Sequence, residues 1–415
     1  MHGSISRWES EKTLARHVLG GYTPTVNDPL TAQRAILRLL ATAWDPASAP
    51  SPETIPWHAV ARLVEATNIA AAIYVAARNT LDAVPVDVRH VLEREFYRTA
   101  AANARLLEQL RVVQHALADA GVPMLLLKGA ALVQSLYYDT TLRLIGDIDL
   151  AVPLDCVPVA RQVILAAGYR SEQMEERPGN LLTNSNQELF DPPTPDGAPI
   201  ELHWHLLDVP YYLRRVPMSW FWEHSTIMPA MAPCRVLNPE ANLVYLPAHL
   251  ALHHRFDRLH SLFDVALLVS RHGHAMDWES IASVASGFEL LSALRATIDR
   301  VAEYWPGLPL AQAQQALCAV RPSLTDRRLY RLLTSAPRST PLHLYTTLAT
   351  QPELHARLRF LWVHLFPQPS YMVARYRIRR RWQLPYWYAY RLLDGLARYL
   401  VALPRTMHID RGDRA

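Results

Sequence analysis

Lysine is almost missing from this chain. Of its 42 basic residues, Lys12 and Lys128 are the two lysines and the rest are arginines. An ammonium and a guanidinium do different work, so a lysine inside a motif stands out. Cysteine is scarce too. The three, Cys156, Cys234 and Cys318, are far apart and no CxxC occurs, which excludes a disulfide framework and a zinc knuckle. A reducing cytoplasm fits that usage. No apolar run approaches the roughly 18 residues of a membrane span, and MHGSISRWESEKT lacks the apolar stretch of a signal peptide. Cytoplasmic residence is therefore expected. Neither HExxH nor a His-Asp dipeptide is present, which removes the sequence marks of zincins and HD phosphohydrolases. The formal charge of +4 gives no polyelectrolyte signal, although the pI near 8.9 permits anionic partners.

What the chain does have is a folded composition, 50% hydrophobic and 19% charged, and enough length for two or three modules. Residues 1–28 read as a loose lead-in. Helical spacing of apolar residues runs from Pro29 to Trp44 and from Trp57 to about Asn79, with the proline-rich DPASAPSPETIP between them. A long helix is expected from Val86 to Ala120, stopped by Gly121. The texture then changes. PMLLLKG reads as a buried strand, AALVQSLYY as a helix, and LRLIGDIDLAVP as a strand. A helix from Leu154 to Ala167 follows. Strands around Gln187–Phe190 and Pro199–His205 flank DPPTPDGA, which predicts a hairpin. From Asn238 strand signals nearly vanish, and Pro239–Ser270 and Trp278–Tyr304 read as helices. The expected fold is α+β: a β-α-β-α-β-β core with a small mixed sheet at 86–237, a helical N-terminal region at 1–85 and a helical C-terminal region at 238–415.

The chemistry concentrates in three acids. Asp147 and Asp149 are two apart in the apolar strand reading, so they share a face. Two carboxylates there repel each other and resist burial unless something positive lies between them. A divalent metal would answer that need. A strand end where both are solvated would answer it as well. Glu201, in PIELHWH, lies on a later strand that pairing could bring beside them. Three carboxylates from adjacent strands suit two metal ions in an in-line displacement at phosphorus. Gly129 opens a helix directly after a strand, where backbone N–H groups can meet phosphate, and Lys128 adds a point charge.

These pieces together resemble a known family. LLLKGAALVQSLYYDTTLRLIGDIDLAVP followed by IELHWHL is similar to the uncharacterised nucleotidyltransferase family of the DNA polymerase β-like superfamily. The likeness includes Lys-Gly after the first strand, a tyrosine ending the helix, Arg143 four residues before the DxD, and the Glu-Leu-His-Trp strand. LNPEANLVYLPAHLALHHRFDRLHSLFDVALLV followed by MDWESI looks like the family's helical continuation. The resemblance implies a metal-dependent transferase moving a nucleotidyl group from an NTP such as ATP to an acceptor, with release of pyrophosphate. It implies magnesium, in two ions, on Asp147, Asp149 and Glu201 as catalytic and metal-binding residues. Lys128, Gly129, Arg143 and His203 are the implied nucleotide contacts. Arg143 would stabilise negative charge or pair with Asp139 or the DxD. The superfamily's phosphate-gripping Gly-Ser is replaced by Lys128–Gly129 followed by Ala130. The alternative expectation is therefore a catalytically silent nucleotidyltransferase fold that binds nucleotide or serves as a scaffold. The acceptor, whether sugar, peptide, protein or RNA, is not implied.

Other residues have a functional and a structural reading each. His203 shares a strand face with Glu201 and can orient phosphate; His205 reads as a packed histidine. His249 and His253 have a zinc-compatible i, i+4 spacing. His253 and Asp264 could face the nucleotide across a cleft. Arg255 and His260 loosely match a metal-independent nuclease pattern. Residues 373–391, VARYRIRRRWQLPYWYAYR, mix arginine with aromatics. That mixture suits single-stranded nucleic acid, an anionic membrane surface, or a solvated basic helix.

Overall fold

In the computed structural model, residues 28–335 and 347–397 are described, apart from 66, 349, 352 and 396. The lead-in expected at 1–28 therefore lies almost wholly outside the described residues. Three N-terminal helices, α1 (Asp28–Ala41), α2 (Trp57–Glu65) and α3 (Ala70–Ala76), precede the long α4 (Val86–Asp119). The helix expected over 57–79 is broken between α2 and α3, and Asn68 there takes a positive φ of 57°. Helix α4 ends where expected. Gly121 adopts φ 70°, a conformation that costs glycine little, and Val122 N–H donates to the Leu117 carbonyl.

The sheet begins with β1 (Leu125–Leu126), followed by α5 (Lys128–Ser135), β2 (Ile148–Ala151) and α6 (Val157–Ala166). The hairpin β3 (Gln187–Phe190) and β4 (Ile200–His203) comes next, then β5 (Ser225–Ile227) and β6 (Arg235–Leu237). The spatial order is β3-β4-β2-β1-β6-β5. Strands β2 and β4 are parallel, as are β1 and β6; the remaining neighbours are antiparallel. The sheet is mixed, as expected, but has two strands more than the sequence suggests. Strands β5 and β6 are three residues each, too short to show a period, and they exist because β6 pairs with the buried β1.

The helical continuation comprises α7 (Pro239–Ala248), a π-helical turn (His249–His254), α8 (Leu259–His272), α9 (Trp278–Gly287), α10 (Leu291–Tyr304), α11 (Ala311–Ala319) and α12 (Leu324–Ser335). The single helix expected over 239–270 is thus interrupted. Pro247 lacks an N–H to continue the ladder, the turn widens, and Arg255 and Phe256 close it with positive φ. Two further helices, α13 (Leu354–Leu365) and α14 (Pro369–Tyr376), lead into a helical stretch at 384–395.

Two apolar clusters sandwich the sheet. One joins Leu106, Leu110, Val113 and Leu117 of α4 and Ile164 of α6 to Ile148, Leu150, Ile200 and Leu202. The other contains Ala151, Leu125 and Leu237 together with α1–α3 and α7–α12. The N-terminal and C-terminal helices therefore share one core. Trp305 Nε1 donates to the Leu37 carbonyl at 2.8 Å, and the rings of Trp44 and Phe263 lie 5.9 Å apart. Alternation along β2 and β4 follows from this sandwich. Ile148, Leu150, Ile200 and Leu202 face the α4 side, so Asp149, Glu201 and His203 face the helical module.

Candidate active site

The parallel pairing of β2 with β4 sets Asp149 beside Glu201 and Ala151 beside His203. Two carboxylates separated by 52 positions thus become lateral neighbours on one face. Lys128 lies over them. Its Nζ is 2.7 Å from Asp149 Oδ1 and 3.5 Å from Glu201 Oε2. His203 Nε2 reaches the same two oxygens, at 3.0 and 3.4 Å. Side-chain exposure is 3% for Asp149, 1% for His203, 16% for Lys128 and 22% for Glu201, so Glu201 is the open edge.

Asp147 precedes β2 rather than lying in it, since the strand starts at Ile148. It is half-buried and belongs electrostatically to the same group. Its carboxyl is pushed up to about 7, first by burial and then by the charges of Asp149 and Glu201, against Lys128 and Arg143. Glu201 behaves oppositely. Burial would raise it, but the His203 hydrogen bond and the Lys128 charge hold it well below the usual carboxylate range. Burial opposes the charge on Lys128 and on His203, and the acids outweigh it, so both keep their protons more tightly than usual.

The donor atoms at this site could hold a divalent metal. Asp149, Glu201 and His203 each offer a donor atom within 4.8 Å of the others. Asp147 adds a third carboxylate beside this group, raised first by its burial and then by the charges of Asp149 and Glu201. Hard carboxylate oxygens of this kind suit a divalent cation. His203, hydrogen-bonded to both acids, orients the carboxylates and offers a ring nitrogen beside them.

Gly129 has a reason of its own. A Cβ there would collide with the Arg143 guanidinium. Arg143 finds neither partner expected of it, Asp139 or the DxD. Its Nε donates to both oxygens of Asp264 in α8, at 2.9 and 3.0 Å, and Tyr137 OH donates to the same carboxylate at 2.7 Å. Asp264 is 1% exposed, so it holds Arg143 and does not face a cleft. Asn103, buried in α4, donates to the Arg143 carbonyl at 2.8 Å and accepts from Ile145 N–H at 3.0 Å. The loop carrying Asp147 is therefore clamped from two sides. Asn103 carries no motif in the sequence, whereas Tyr137 lies in the tyrosine pair that ends the AALVQSLYY helix.

Helix α7 and the π-turn form the facing wall. The Tyr245 hydroxyl is buried beside Lys128 without meeting hydrogen-bond geometry. One turn on, His249 is kept neutral, first by burial and then by the Lys128 charge. His249 and His253 stack at 5.0 Å with planes 10° apart, and His253 Nδ1 lies 3.0 Å from Asp208. The three-ligand group found among the described residues is the acidic one, and it does not include the His249–His253 pair. His205 is structural, with Nε2 2.9 Å from the Val216 carbonyl. His260 lies close to the Arg143–Asp264 pair, and Arg255 closes the π-turn.

Acids on adjacent parallel strands, a lysine at the start of α5 and the wall of α7 thus meet in one cluster. The chain belongs to the uncharacterised nucleotidyltransferase family, whose model matches residues 53–306, more than half its length. No curated protein and no solved structure matches it.

Proposed function

We propose that this protein transfers a nucleotidyl group from an NTP to an acceptor hydroxyl or phosphate, releasing pyrophosphate. The observation that supports this reading is the lateral Asp149–Glu201 pair with Asp147 crowded against it. Asp147, Asp149 and Glu201 would hold magnesium, which supplies charge neutralisation at the phosphates and an activated attacking oxygen. Lys128 is the mobile cation of the site. Nucleotide phosphates draw its ammonium away from Asp149, and the Gly129 N–H at the start of α5 meets the same oxygens. His203 holds the two carboxylates in register. Arg143 positions Gly129 and the loop before Asp147 instead of touching phosphate. Tyr245 and His249 limit the depth of the nucleotide and exclude water.

A second reading has its own support. The 2.7 Å Lys128–Asp149 pair places a built-in cation among the acids, as a nucleotide-binding protein without turnover would have it. Incubating the protein with each NTP, magnesium and cell extract separates the two, with pyrophosphate as readout. Turnover that disappears in Asp147→Asn with Asp149→Asn supports transfer. Calorimetric NTP binding without pyrophosphate in any extract supports the silent reading. Nucleotide affinity unchanged in the double variant removes both.

A further inference from the structure

Between Leu354 and Leu393 the chain carries eight arginines and not one aspartate or glutamate. The fold turns this stretch into a surface. Helix α13 exposes Leu354, Leu358, Trp362 and Leu365, the first by 71%. Their spacing of i, i+4, i+8 and i+11 puts them on one helical face. Trp382, Tyr386, Tyr390 and Leu393 repeat that spacing, with Trp382 exposed by 73% and Leu393 by 68%. The inward positions are already filled by Ala356, Val363, Met372 and Ile378. Scattered exposed apolar residues need no explanation, but two rows on neighbouring helices do.

The rows are held firmly. Arg391 donates to the His364 carbonyl at 3.0 and 2.8 Å, and Tyr388 OH donates to the Pro367 carbonyl. The module is tied to the sheet domain as well. Arg391 pairs with Glu176 at 2.8 Å, and Arg177 donates to the Phe366 carbonyl at 2.6 Å. Arg379, Arg380 and Arg381, all exposed, immediately precede Trp382.

We propose that this face docks on an anionic phospholipid surface. Leucine and tryptophan enter the boundary between headgroups and acyl chains, while the arginines meet lipid phosphates. The charge is complementary because no acid interrupts it. Leucines at both ends of the first row and at the far end of the second decide between lipid and nucleic acid. A single strand is gripped by flat rings on which bases stack, whereas an exposed leucine gains by leaving water for hydrocarbon. This inference does not depend on the nucleotidyl-transfer reading.

The test is co-sedimentation of the whole protein with neutral phosphatidylcholine vesicles and with vesicles containing about one third phosphatidylserine, at two salt concentrations. Binding is expected to the anionic vesicles, weakening with salt. Combined Arg379→Gln, Arg380→Gln and Arg381→Gln should lower partitioning about a hundredfold, at roughly 1 kcal/mol per arginine. Trp382→Ser with Leu393→Ser should also weaken it. These positions are exposed, and unchanged circular dichroism will confirm the fold. No binding, or equal binding to both vesicle types, overturns the proposal. So does a concentration-dependent dimer abolished by Trp382→Ser with Leu393→Ser, or retention of single-stranded RNA that exceeds retention by anionic vesicles and is lost in the same variant.

Discussion

Lys128→Met asks the structure its sharpest question. The ammonium is 2.7 Å from Asp149 and 3.5 Å from Glu201, with side-chain exposures of 16%, 3% and 22%. At an effective dielectric of about 20, a unit charge pair at that distance attracts by about 6 kcal/mol before desolvation is subtracted. Removing one partner of a buried pair typically costs about 3–5 kcal/mol net, because the other charge stays buried and unpaired. The loss should depend on pH. Asp147 is raised to about 7 by burial and then by its acidic neighbours. A carboxyl raised in the folded state contributes stability that is fully present below its unfolded value near 4, and that is lost as pH rises through the folded value. Lys128 pulls Asp147 and Glu201 down, so without it both rise. Urea unfolding at pH 8 and pH 5 should show a large deficit at pH 8 that shrinks toward pH 5. Magnesium should restore more stability to the variant than to the parent, about 2.7 kcal/mol at a hundredfold excess over its Kd. A deficit under about 1 kcal/mol, or one equal at both pH values, would refute Lys128 as the cation that neutralises these acids.

Two other outcomes follow from the surrounding structure. Gly129→Ala drives a methyl group into a guanidinium that Asp264 holds in place, and should cost about 1–3 kcal/mol in thermal or urea unfolding. A Tm unchanged from the parent would mean that Arg143 moves aside freely. His260 is lowered to about 4, by burial and then by the Arg143 charge. Its unfolded imidazole takes a proton near 6.5, so the stability it contributes is lost as pH falls from about 6.5 to about 4. That amounts to about 3 kcal/mol, and His260→Gln should flatten the stability profile across that window.

The acids, Lys128–Gly129 and the Glu-Leu-His-Trp strand were legible because short chemical motifs survive in one dimension. Helix α4 and strand β3 were legible because their apolar periods run long enough, or their turns are strong enough, to mark both ends. Strands β5 and β6 were not, because three residues have no period and the pairing of β6 with β1, on which β5 then builds, is decided across more than a hundred positions. The break after Ala248 was also hidden, since a proline inside a histidine-rich apolar run gives no hint that the next turn widens.

By itself the sequence determined the kind of chemistry: hard oxygen donors, one rare lysine, and a glycine at the head of a helix. Only the tertiary structure decided what each group faces. The parallel register of β2 and β4 made Asp149 and Glu201 neighbours, and this register is fixed by burying Ile148, Leu150, Ile200 and Leu202 on the opposite face. The resemblance implies that Arg143 stabilises negative charge or pairs with Asp139 or the DxD; the hydrogen-bond partner the fold gives its Nε is Asp264, 121 residues away. Spacing along a chain dictates which side chains share a face. Which charge lies opposite that face depends on how separate elements pack, and no local pattern carries that information.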